Sequence, residues 1–311
     1  MALLNLKQLN KVCETKHFKM ESLNQAVHMI TPGCYMASID IKDAFYSVSV
    51  HSSHTKYLKF VWRGNIYKFV AMPNGYIDAM RTFTKLLKPV FSNLRLEGHS
   101  SVIYVDDSFL LGDTFESCLR NVRATLSSLR EFGFVAHPDK SCFMPSQSIV
   151  FLGFILDSVN MTITLTMEKK DRISSKADYL LNSKSISNRE VASFVGNLTA
   201  AFVAVPYGRI YYRNIEASKT ASLKVNAYNF DSPCCLSEEA KREILWWKKH
   251  IYPSFSYIKC TPEVDLIIHT DASLEGWGAH MEGLPDANGR WNGNEKSLHI
   301  NCLELMAKNL A

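Results

Sequence analysis

Three aspartates are the residues of this sequence best suited to chemistry. Asp106 and Asp107 are adjacent and lie between two short apolar runs in the segment SVIYVDDSFLLGDT, which predicts a β-hairpin with the pair at its turn. Asp40 ends the apolar run YMASIDIK, which predicts a buried strand. Close carboxylates repel unless a positive group lies between them, and two divalent cations used in phosphoryl transfer would fill that role. A polar turn without function is also common, and both interpretations stay open on these residues alone.

A basic and aromatic stretch follows the first aspartate. No acidic residue occurs from Ala44 to Ile77, where cations alternate with aromatic rings. The cations are Lys56, Lys59, Arg63 and Lys68, and the rings are Tyr57, Phe60, Trp62, Tyr67 and Phe69. The pattern suits a phosphate-rich partner whose bases can stack, or a half-buried sheet with a lysine-bearing outer face.

The composition indicates a globular protein and argues against a membrane protein. Of 311 residues, 47% are hydrophobic and 21% are charged. No apolar run approaches the roughly 18 residues of a membrane span, and no signal peptide is recognisable. The eight cysteines lack the spacing of a zinc site, so we expect reduced thiols and an intracellular location in cytoplasm or nucleus. The oligomeric state is not predicted.

Periodicity and turn residues predict the elements that must position the aspartates. The expected hairpins span 57–71, turning at Arg63 to Asn65, and 149–166, turning near Asp157 to Asn160. One helix is expected after the turn MPNGY, and another is expected to start with a capping box of Asp113 and Glu116 and to end at Gly133. Further helices are expected at 167–182, 188–205 and 237–251, with a linker at 214–236 and a new strand from Val264.

Five motifs occur together and in a specific order. They are IDIKDAFYSV, MPNGY, YVDD, HPDKS and FLGF. In this order and spacing they resemble the polymerase motifs of reverse transcriptases. The amino-acid sequences of the motifs are most similar to those of LTR-type and DIRS-like retrotransposons. The resemblance covers nearly the whole chain. It implies an α+β fold, with an antiparallel palm sheet packed on helices.

The resemblance also implies a domain order. Residues 1–165 would form partial fingers and the palm, and residues 166–260 a helical thumb or connection region. Residues 261–311 would form the N-terminal part of an RNase H-like domain. We expect the strands before LLNLKQLNK, and with them part of the triphosphate grip, to be missing.

Site residues follow from the resemblance position by position. Asp40, Asp106 and Asp107 would hold two Mg²⁺ or Mn²⁺ ions. Phe45 would be the aromatic gate that excludes a ribose 2′-hydroxyl, and Asn74 with Gly75 stands where many relatives carry Gln-Gly. Asp43 either belongs to the nucleotide site or is a solvent-facing turn residue.

The remaining motifs imply further roles. Lys140 would lie near the pyrophosphate leaving group as a proton donor, or would be an ordinary surface lysine. Phe151, Leu152 and Gly153 resemble the primer grip, although an apolar strand would look the same. Asp271 and Glu304 match the first two metal ligands of RNase H. Seven residues follow Glu304, so we expect the later acids to be absent and no RNase H activity.

The function expected from the resemblance is RNA-directed DNA polymerisation by two-metal phosphoryl transfer. The partners would be an RNA template, a DNA primer and dNTPs. The alternative is an inactive or host-recruited fragment that at most binds nucleic acid. An RNA-templated RNA polymerase is disfavoured by Phe45 and by the RNase H-like segment.

Overall fold

The computed structural model describes residues 4–258 and 266–310. The chain divides into two compact units, Met1–Lys259 and Cys260–Ala311. The helices of the first unit are α1 (Lys7–Val12), α2 (Leu23–Met29), α3 (Ala79–Leu96), α4 (Phe115–Glu131), α5 (Met167–Asn182), α6 (Asn188–Ala201), α7 (Arg213–Val225) and α8 (Glu238–His250). Its strands are β1 (Tyr35–Asp40), β2 (Lys59–Trp62), β3 (Asn65–Lys68), β4 (Ser101–Tyr104), β5 (Asp107–Gly112), β6 (Cys142–Ser146), β7 (Ser148–Phe151), β8 (Phe154–Asp157), β9 (Thr162–Leu165) and β10 (Ser256–Tyr257).

The central sheet has the antiparallel order β4-β5-β1-β6 and is covered on both faces. Successive side chains of a strand point to opposite faces. On β1, Ala37 and Ile39 belong to one buried core with helices α3 and α4. Met36, on the other face, belongs to a second core together with the β7 to β9 strands and helices α5 to α8. Apolar burial on both sides therefore fixes β1, and with it the position of Asp40.

The second sheet of this unit is an antiparallel meander in the order β10-β9-β8-β7. The segment expected as one hairpin forms two, and in this respect the prediction is wrong. The predicted turn is present after β8, where the Asp157 carboxylate accepts hydrogen bonds from the backbone N–H groups of Val159 and Asn160. A second turn at Leu152 and Gly153 was missed, because an apolar FLGF run hides two left-handed residues, with φ of 49° and 75°.

Most of the other predicted elements are confirmed. The hairpin around Arg63 and Gly64, the helix ending before Gly133 and the helix over Met167–Asn182 are all present. The predicted capping box is wrong by one residue. Thr114, not Asp113, caps α4. The Thr114 hydroxyl accepts a hydrogen bond from the backbone N–H of Ser117, and the Ser117 hydroxyl accepts one from the backbone N–H of Thr114.

The linker expected at 214–236 is also wrong, because Arg213–Val225 forms helix α7. The sequence of α7 has few apolar positions, and its first turn has no side-chain cap of its own. The buried Glu243 of α8 supplies the cap instead. Its carboxylate accepts from the backbone N–H groups of Asn214 and Ile215 at 3.0 and 3.1 Å, and from the Asn214 side chain at 2.8 Å. This tertiary contact satisfies N–H groups that a helix start leaves free.

Glu243→Ala should therefore lower the free energy of unfolding by about 3 kcal/mol, since it leaves unpaired the buried N–H group of Ile215 and the partly buried donors of Asn214. The measurement is urea unfolding followed by circular dichroism. Glu239→Ala is the matched control, because Glu239 lies on the same helix and pairs with Arg242 at the surface. Equal stability of the two variants would contradict the capping role of Glu243.

The described part of the second unit contains a three-stranded antiparallel sheet and one α-helix. Its elements are β11 (Ile268–Ala272), β12 (Gly276–Met281), β13 (Ala287–Arg290) and α9 (Ile300–Leu310). Helix α9 packs on β11 and β12, and its Leu303 and Ala307 bury against Trp291. The strand predicted from Val264 begins at Ile268, and Val264 itself lies outside the described residues. Across the described parts of both units, no helix combines the length and apolar character of a membrane span.

Candidate active site

The three candidate aspartates meet where β1 and β5 are paired. Asp40 is the last residue of β1, and Asp107 is the first residue of β5 and its direct cross-strand partner. Cross-strand partners project from the same face of a sheet, so these two carboxylates are neighbours. Asp106 immediately precedes β5, in the two-residue turn after β4. The predicted hairpin is thus present, but its turn is one residue earlier than expected: Val105 and Asp106 form the turn, and Asp107 belongs to β5.

The turn holds Asp106 in a constrained position. Val105 has φ of 57°, a left-handed conformation that β-branched residues rarely adopt, and its side chain is buried. The carbonyl oxygen of Asp106 accepts from the backbone N–H of Ile41 at 2.9 Å. The turn is therefore fastened to the end of β1 by its main chain as well as by the sheet.

The surroundings of Asp40 orient it through main-chain contacts. Its backbone N–H donates to the Ser141 hydroxyl at 3.0 Å, and its carbonyl oxygen accepts from the His137 N–H at 2.7 Å. Lys140 Nζ lies 3.9 Å from the Asp40 carboxylate. The Lys140 side chain is 63% exposed whereas that of Asp40 is 13% exposed, so the ammonium group reaches the site from solvent.

Electrostatics in this cluster favour a cation. Burial, and then the negative charges of Asp106 and Asp40, raise the pKa of Asp107 to about 6. The pKa of Asp106 is also raised, mainly by burial and further by Asp40, against the lowering effects of its backbone hydrogen bond and of Lys140. One lysine thus does not neutralise three carboxylates, and an added positive charge would relieve the remaining repulsion.

The chemistry of the three carboxylates fits a hard divalent cation, although their side chains are not arranged for coordination in this structure. Three carboxylates at the ends of paired strands offer the oxygen ligands that Mg²⁺ prefers. Among the described residues, no group of three His, Cys, Asp or Glu side chains is arranged so that it could coordinate a metal ion. Metal binding would therefore require the carboxylates of Asp40, Asp106 and Asp107 to approach one another more closely than they do in this structure.

The raised pKa of Asp107 predicts a pH-dependent stability in the absence of metal. The pKa of about 6 in the folded state lies above that of an unfolded Asp, so the folded protein binds the extra proton. The stabilisation is present below about pH 4 and is lost as pH rises to about 6 and beyond. Asp107→Asn removes this titration. In urea unfolding with EDTA, the variant should gain stability relative to wild type as pH rises through that window, and parallel profiles would contradict the assignment.

The candidate nucleotide residues lie on the segment that follows β1. Phe45 belongs to a single 3₁₀ turn, Ala44–Ser47, is half-buried and packs edge-to-face on Phe83 at 5.8 Å. Asp43 precedes this turn with φ of 52° and is exposed. The Phe45 ring is thus held in place by its contact with Phe83 of α3. Asp43 is a solvent-facing turn residue, and its role in nucleotide binding remains a prediction.

Asn74 and Gly75 lie in the turn before α3. The Asn74 side-chain amide donates to the Tyr46 hydroxyl at 3.2 Å, and the Gly75 carbonyl oxygen accepts from the Asn10 side chain at 2.9 Å. Gly75 has φ of 88°, and a Cβ there would meet no atom within 4 Å. The requirement for glycine in this chain is therefore its left-handed backbone.

The candidate primer-grip hairpin packs against strand β5, which carries Asp107. Phe151 ends β7, and its ring lies 5.0 Å from that of Phe109 on β5, two residues after Asp107. In the turn, the Leu152 carbonyl oxygen accepts from Lys169 Nζ at 2.7 Å, and this ammonium lies 4.1 Å from the centre of the Phe154 ring. Burial, with a smaller effect of Arg172, lowers the pKa of Lys169.

The second unit carries the two remaining candidates. Asp271 lies on β11 and is exposed, and Glu304 lies on α9 and is partly buried. Because α9 packs on β11, the strand and the helix that carry them are neighbours. Their role as metal ligands remains a prediction.

Comparison with known families agrees with this arrangement. Residues 1–156 match the sequence profile of the family described as reverse transcriptase (RNA-dependent DNA polymerase), which is half of the chain. The chain belongs to the reverse transcriptase family. All three aspartates of the site lie within the matched residues.

Relatives of this reverse transcriptase chain are polyproteins of mobile elements and viruses. It is 21% identical to the retrovirus-related Pol polyprotein from transposon 412 of Drosophila melanogaster, covering 48% of this chain and 12% of that one. It is 23% identical to the enzymatic polyprotein of cauliflower mosaic virus, covering 98% of this chain and 44% of that one. The chain therefore spans less than half the length of these relatives. The expected membership among retroelement reverse transcriptases is confirmed.

Solved structures confirm the α+β polymerase fold of the reverse transcriptase chain. The foamy viral protease-reverse transcriptase in complex with an RNA/DNA hybrid has a TM-score of 0.69 at 17% identity, covering 99% of this chain and 40% of that one. The same viral protein in a second complex, with double-stranded DNA, gives 0.68 at 17% identity, covering 99% and 52%.

Sequence reasoning missed two residues that organise the site. The Ser141 hydroxyl accepts a hydrogen bond from the backbone N–H of Asp40, and Lys169 donates one to the Leu152 carbonyl oxygen in the turn of the β7–β8 hairpin. Ser141 follows the HPDKS lysine directly, so its position beside the motif was a usable signal. Lys169 lies at the start of a helix with no motif around it, and only the tertiary structure of the reverse transcriptase chain identifies it.

Proposed function

We propose that this chain is an RNA-directed DNA polymerase that adds deoxynucleotides to a primer 3′-hydroxyl. The observation that carries the proposal is the direct pairing of Asp40 with Asp107 beside the constrained turn of Asp106. Membership in the reverse transcriptase family supports the reaction class. The partners would be an RNA template, a DNA primer or product and dNTPs, and solved relatives hold double-stranded DNA or an RNA/DNA hybrid.

The proposal assigns a role to each part of the chain. Residues 1–165 would be partial fingers and palm, and 166–260 a helical thumb or connection region. Residues 261–311 would be an RNase H-like segment with Asp271 and Glu304 as remnants of its metal site. The palm assignment is supported by the two-sided burial of the β4-β5-β1-β6 sheet.

Asp40, Asp106 and Asp107 would hold two Mg²⁺ or Mn²⁺ ions. When bound, these ions supply charge neutralisation for the attacking and leaving oxygens of a phosphoryl transfer. The protein's own contribution is positional. The main-chain bonds of Asp40 and Asp106 and the shared sheet keep the backbones of the three aspartates close together before any substrate arrives.

Other residues would select and orient the nucleotide. Phe45, supported by Phe83, would occupy the space that a ribose 2′-hydroxyl needs and would offer it no hydrogen bond. Asn74 and Gly75 would line the same nucleotide from the turn before α3. Lys140 reaches Asp40 from solvent and could donate a proton to the leaving pyrophosphate.

The β7–β8 hairpin would hold the primer end. Phe151 packs on Phe109 of the catalytic hairpin, while Leu152 and Gly153 form a turn whose conformation is fixed by Lys169. A turn tied to the aspartate-bearing strand in this way would place the 3′-hydroxyl at a constant distance from the carboxylates.

Primer extension on an RNA template tests the proposal. The purified chain is mixed with a labelled DNA primer annealed to RNA, all four dNTPs and Mg²⁺ or Mn²⁺. The expected product is longer and complementary to the template, and omission of one dNTP stops it at the matching base. Binding of the primer-template without extension under either ion would instead indicate a nucleic-acid-binding fragment.

A further inference from the structure

Asn10 connects helix α1 to the turn before α3, at residues 73–77, which we call the nucleotide turn. Its side-chain amide donates to the Gly75 carbonyl oxygen at 2.9 Å, and its side-chain oxygen accepts from the backbone N–H of Ile77 at 3.1 Å. The bonded residues are 65 and 67 positions apart in the sequence. One planar side chain thus binds the peptide groups on both sides of Tyr76.

Apolar packing does not explain the position of α1 beside this turn. The helix buries none of its six residues, all of which the structure describes. Leu9 and Val12 of α1 line a cavity of about 540 Å³ together with Pro73 and Tyr76 of the nucleotide turn. Packing between the two elements is therefore incomplete, and the polar contacts between them carry the connection.

The nucleotide turn is held from two directions. On one side, the Asn74 side chain donates to the Tyr46 hydroxyl at 3.2 Å. On the side of α1, a side-chain hydrogen bond between Tyr76 and Cys13 adds to the two bonds of Asn10. Tyr46 therefore acts on the side chain of Asn74, and Asn10 acts on the main chain that follows it.

Gly75 makes this main-chain support necessary. Glycine has more conformational freedom than any other residue, and Gly75 has a left-handed φ of 88°. Without a partner for its carbonyl oxygen, the segment directly after Asn74 could adopt several arrangements. The bond from Asn10 restricts this freedom when the protein folds, so that a nucleotide need not order the turn when it binds.

We propose that Asn10 is a positioning residue that holds the nucleotide turn in the arrangement in which Asn74 and Gly75 meet the incoming deoxynucleotide. The proposal rests on the proposed polymerase function, to which the nucleotide role of Asn74 and Gly75 belongs. Asn10 acts without touching the nucleotide, because both polar atoms of its side chain are bound to the main chain of the turn. Its loss should therefore weaken nucleotide binding and leave the binding of a primer-template unchanged.

The test measures the Kd of the matching dNTP for the complex of the protein with a primer-template. The primer ends in a dideoxynucleotide, so no bond can form, and Mg²⁺ is present. Asn10→Ala should bind the dNTP at least about tenfold more weakly, which is the scale of one to two hydrogen bonds, with unchanged affinity for the primer-template. Gln8→Ala is the matched control, because Gln8 lies exposed on the same helix, and it should bind both as wild type does.

Two further measurements separate positioning from loss of fold. With an extendable primer, Asn10→Ala should raise KM for the dNTP about tenfold and leave kcat within about twofold of wild type. A partly unfolded variant would instead lower kcat and leave KM unchanged, because fewer molecules would be active. In hydrogen exchange without nucleotide, the Ile77 amide of Asn10→Ala should exchange at least about tenfold faster, while the amides of β1 keep their wild-type rates.

Unchanged dNTP affinity in Asn10→Ala, or an equal loss in Gln8→Ala, would overturn the positioning role. A parallel loss of primer-template affinity would also overturn it, since α1 would then support the fold as a whole. If Asn10→Ala loses dNTP affinity while wild type fails to extend an ordinary primer, the polymerase function fails and the positioning role stands. If wild type extends primers and Asn10→Ala binds the dNTP normally, the positioning role fails and the polymerase function stands.

Discussion

Asp106→Asn should lower primer extension by at least about a hundredfold, equivalent to ~2.7 kcal/mol of transition-state stabilisation. Asparagine has the size of aspartate and can keep the main-chain bond from Ile41 to residue 106, so the turn should persist. What is lost is one negative charge of the three-carboxylate cluster, and with it the affinity for divalent cations. The measurement is the initial rate of dNTP incorporation on an RNA template over a range of Mg²⁺ concentrations.

Asp113→Asn is the matched control for this substitution. Asp113 follows the far end of β5 and is exposed, so the same chemical change there should leave incorporation unchanged. Urea unfolding of both variants establishes that the fold is intact. Equal incorporation by wild type and Asp106→Asn would remove Asp106 from the proposed site.

Phe45→Val should weaken discrimination against ribonucleotides by a factor of about ten to a hundred. The smaller side chain leaves space where the ring stood, and Phe83 behind it is held in the core of α3 and is not free to fill the gap. The rate with dNTPs should fall less than the rate with rNTPs rises. The measurement is the ratio of kcat/KM for a dNTP and for the matching rNTP on the same template.

Two further variants separate selectivity from folding. Phe45→Tyr retains the ring and should retain discrimination. Phe132→Val makes the parallel change at an exposed phenylalanine after α4 and should alter neither ratio nor rate. An unchanged ratio in Phe45→Val would refute the gate assignment.

The aspartate cluster could be predicted from sequence because its parts are local. An apolar strand ending in Asp40 and a tight turn between two apolar runs are both short-range patterns, and they specify β1, β4 and β5. Their pairing in one sheet was an expectation from the resemblance, and the register of Asp40 with Asp107 required the structure.

Elements stabilised by distant residues were the ones that sequence patterns did not indicate. Helix α7 depends on Glu243, which is 29 positions after Asn214. Likewise, the turn at Leu152 is stabilised by Lys169, which is 17 positions away. Periodicity reports only on residues that are close together along the chain. Hydrogen bonds between distant residues, such as these two, therefore cannot be predicted from it and are found only in the folded structure.

The contact between the tilted rings of Phe109 and Phe151 limits how far the two hairpins of the proposed site can move relative to each other. Both side chains are essentially inaccessible, at 0% and 3% exposure, so neither can touch a substrate. Close-packed rings leave little freedom for sliding, and the two hairpins therefore behave as one rigid part. A displacement of about 1 Å can slow a reaction a hundredfold. This uncharged contact next to the carboxylates therefore contributes to catalysis by keeping them in position, although it takes no part in the chemistry.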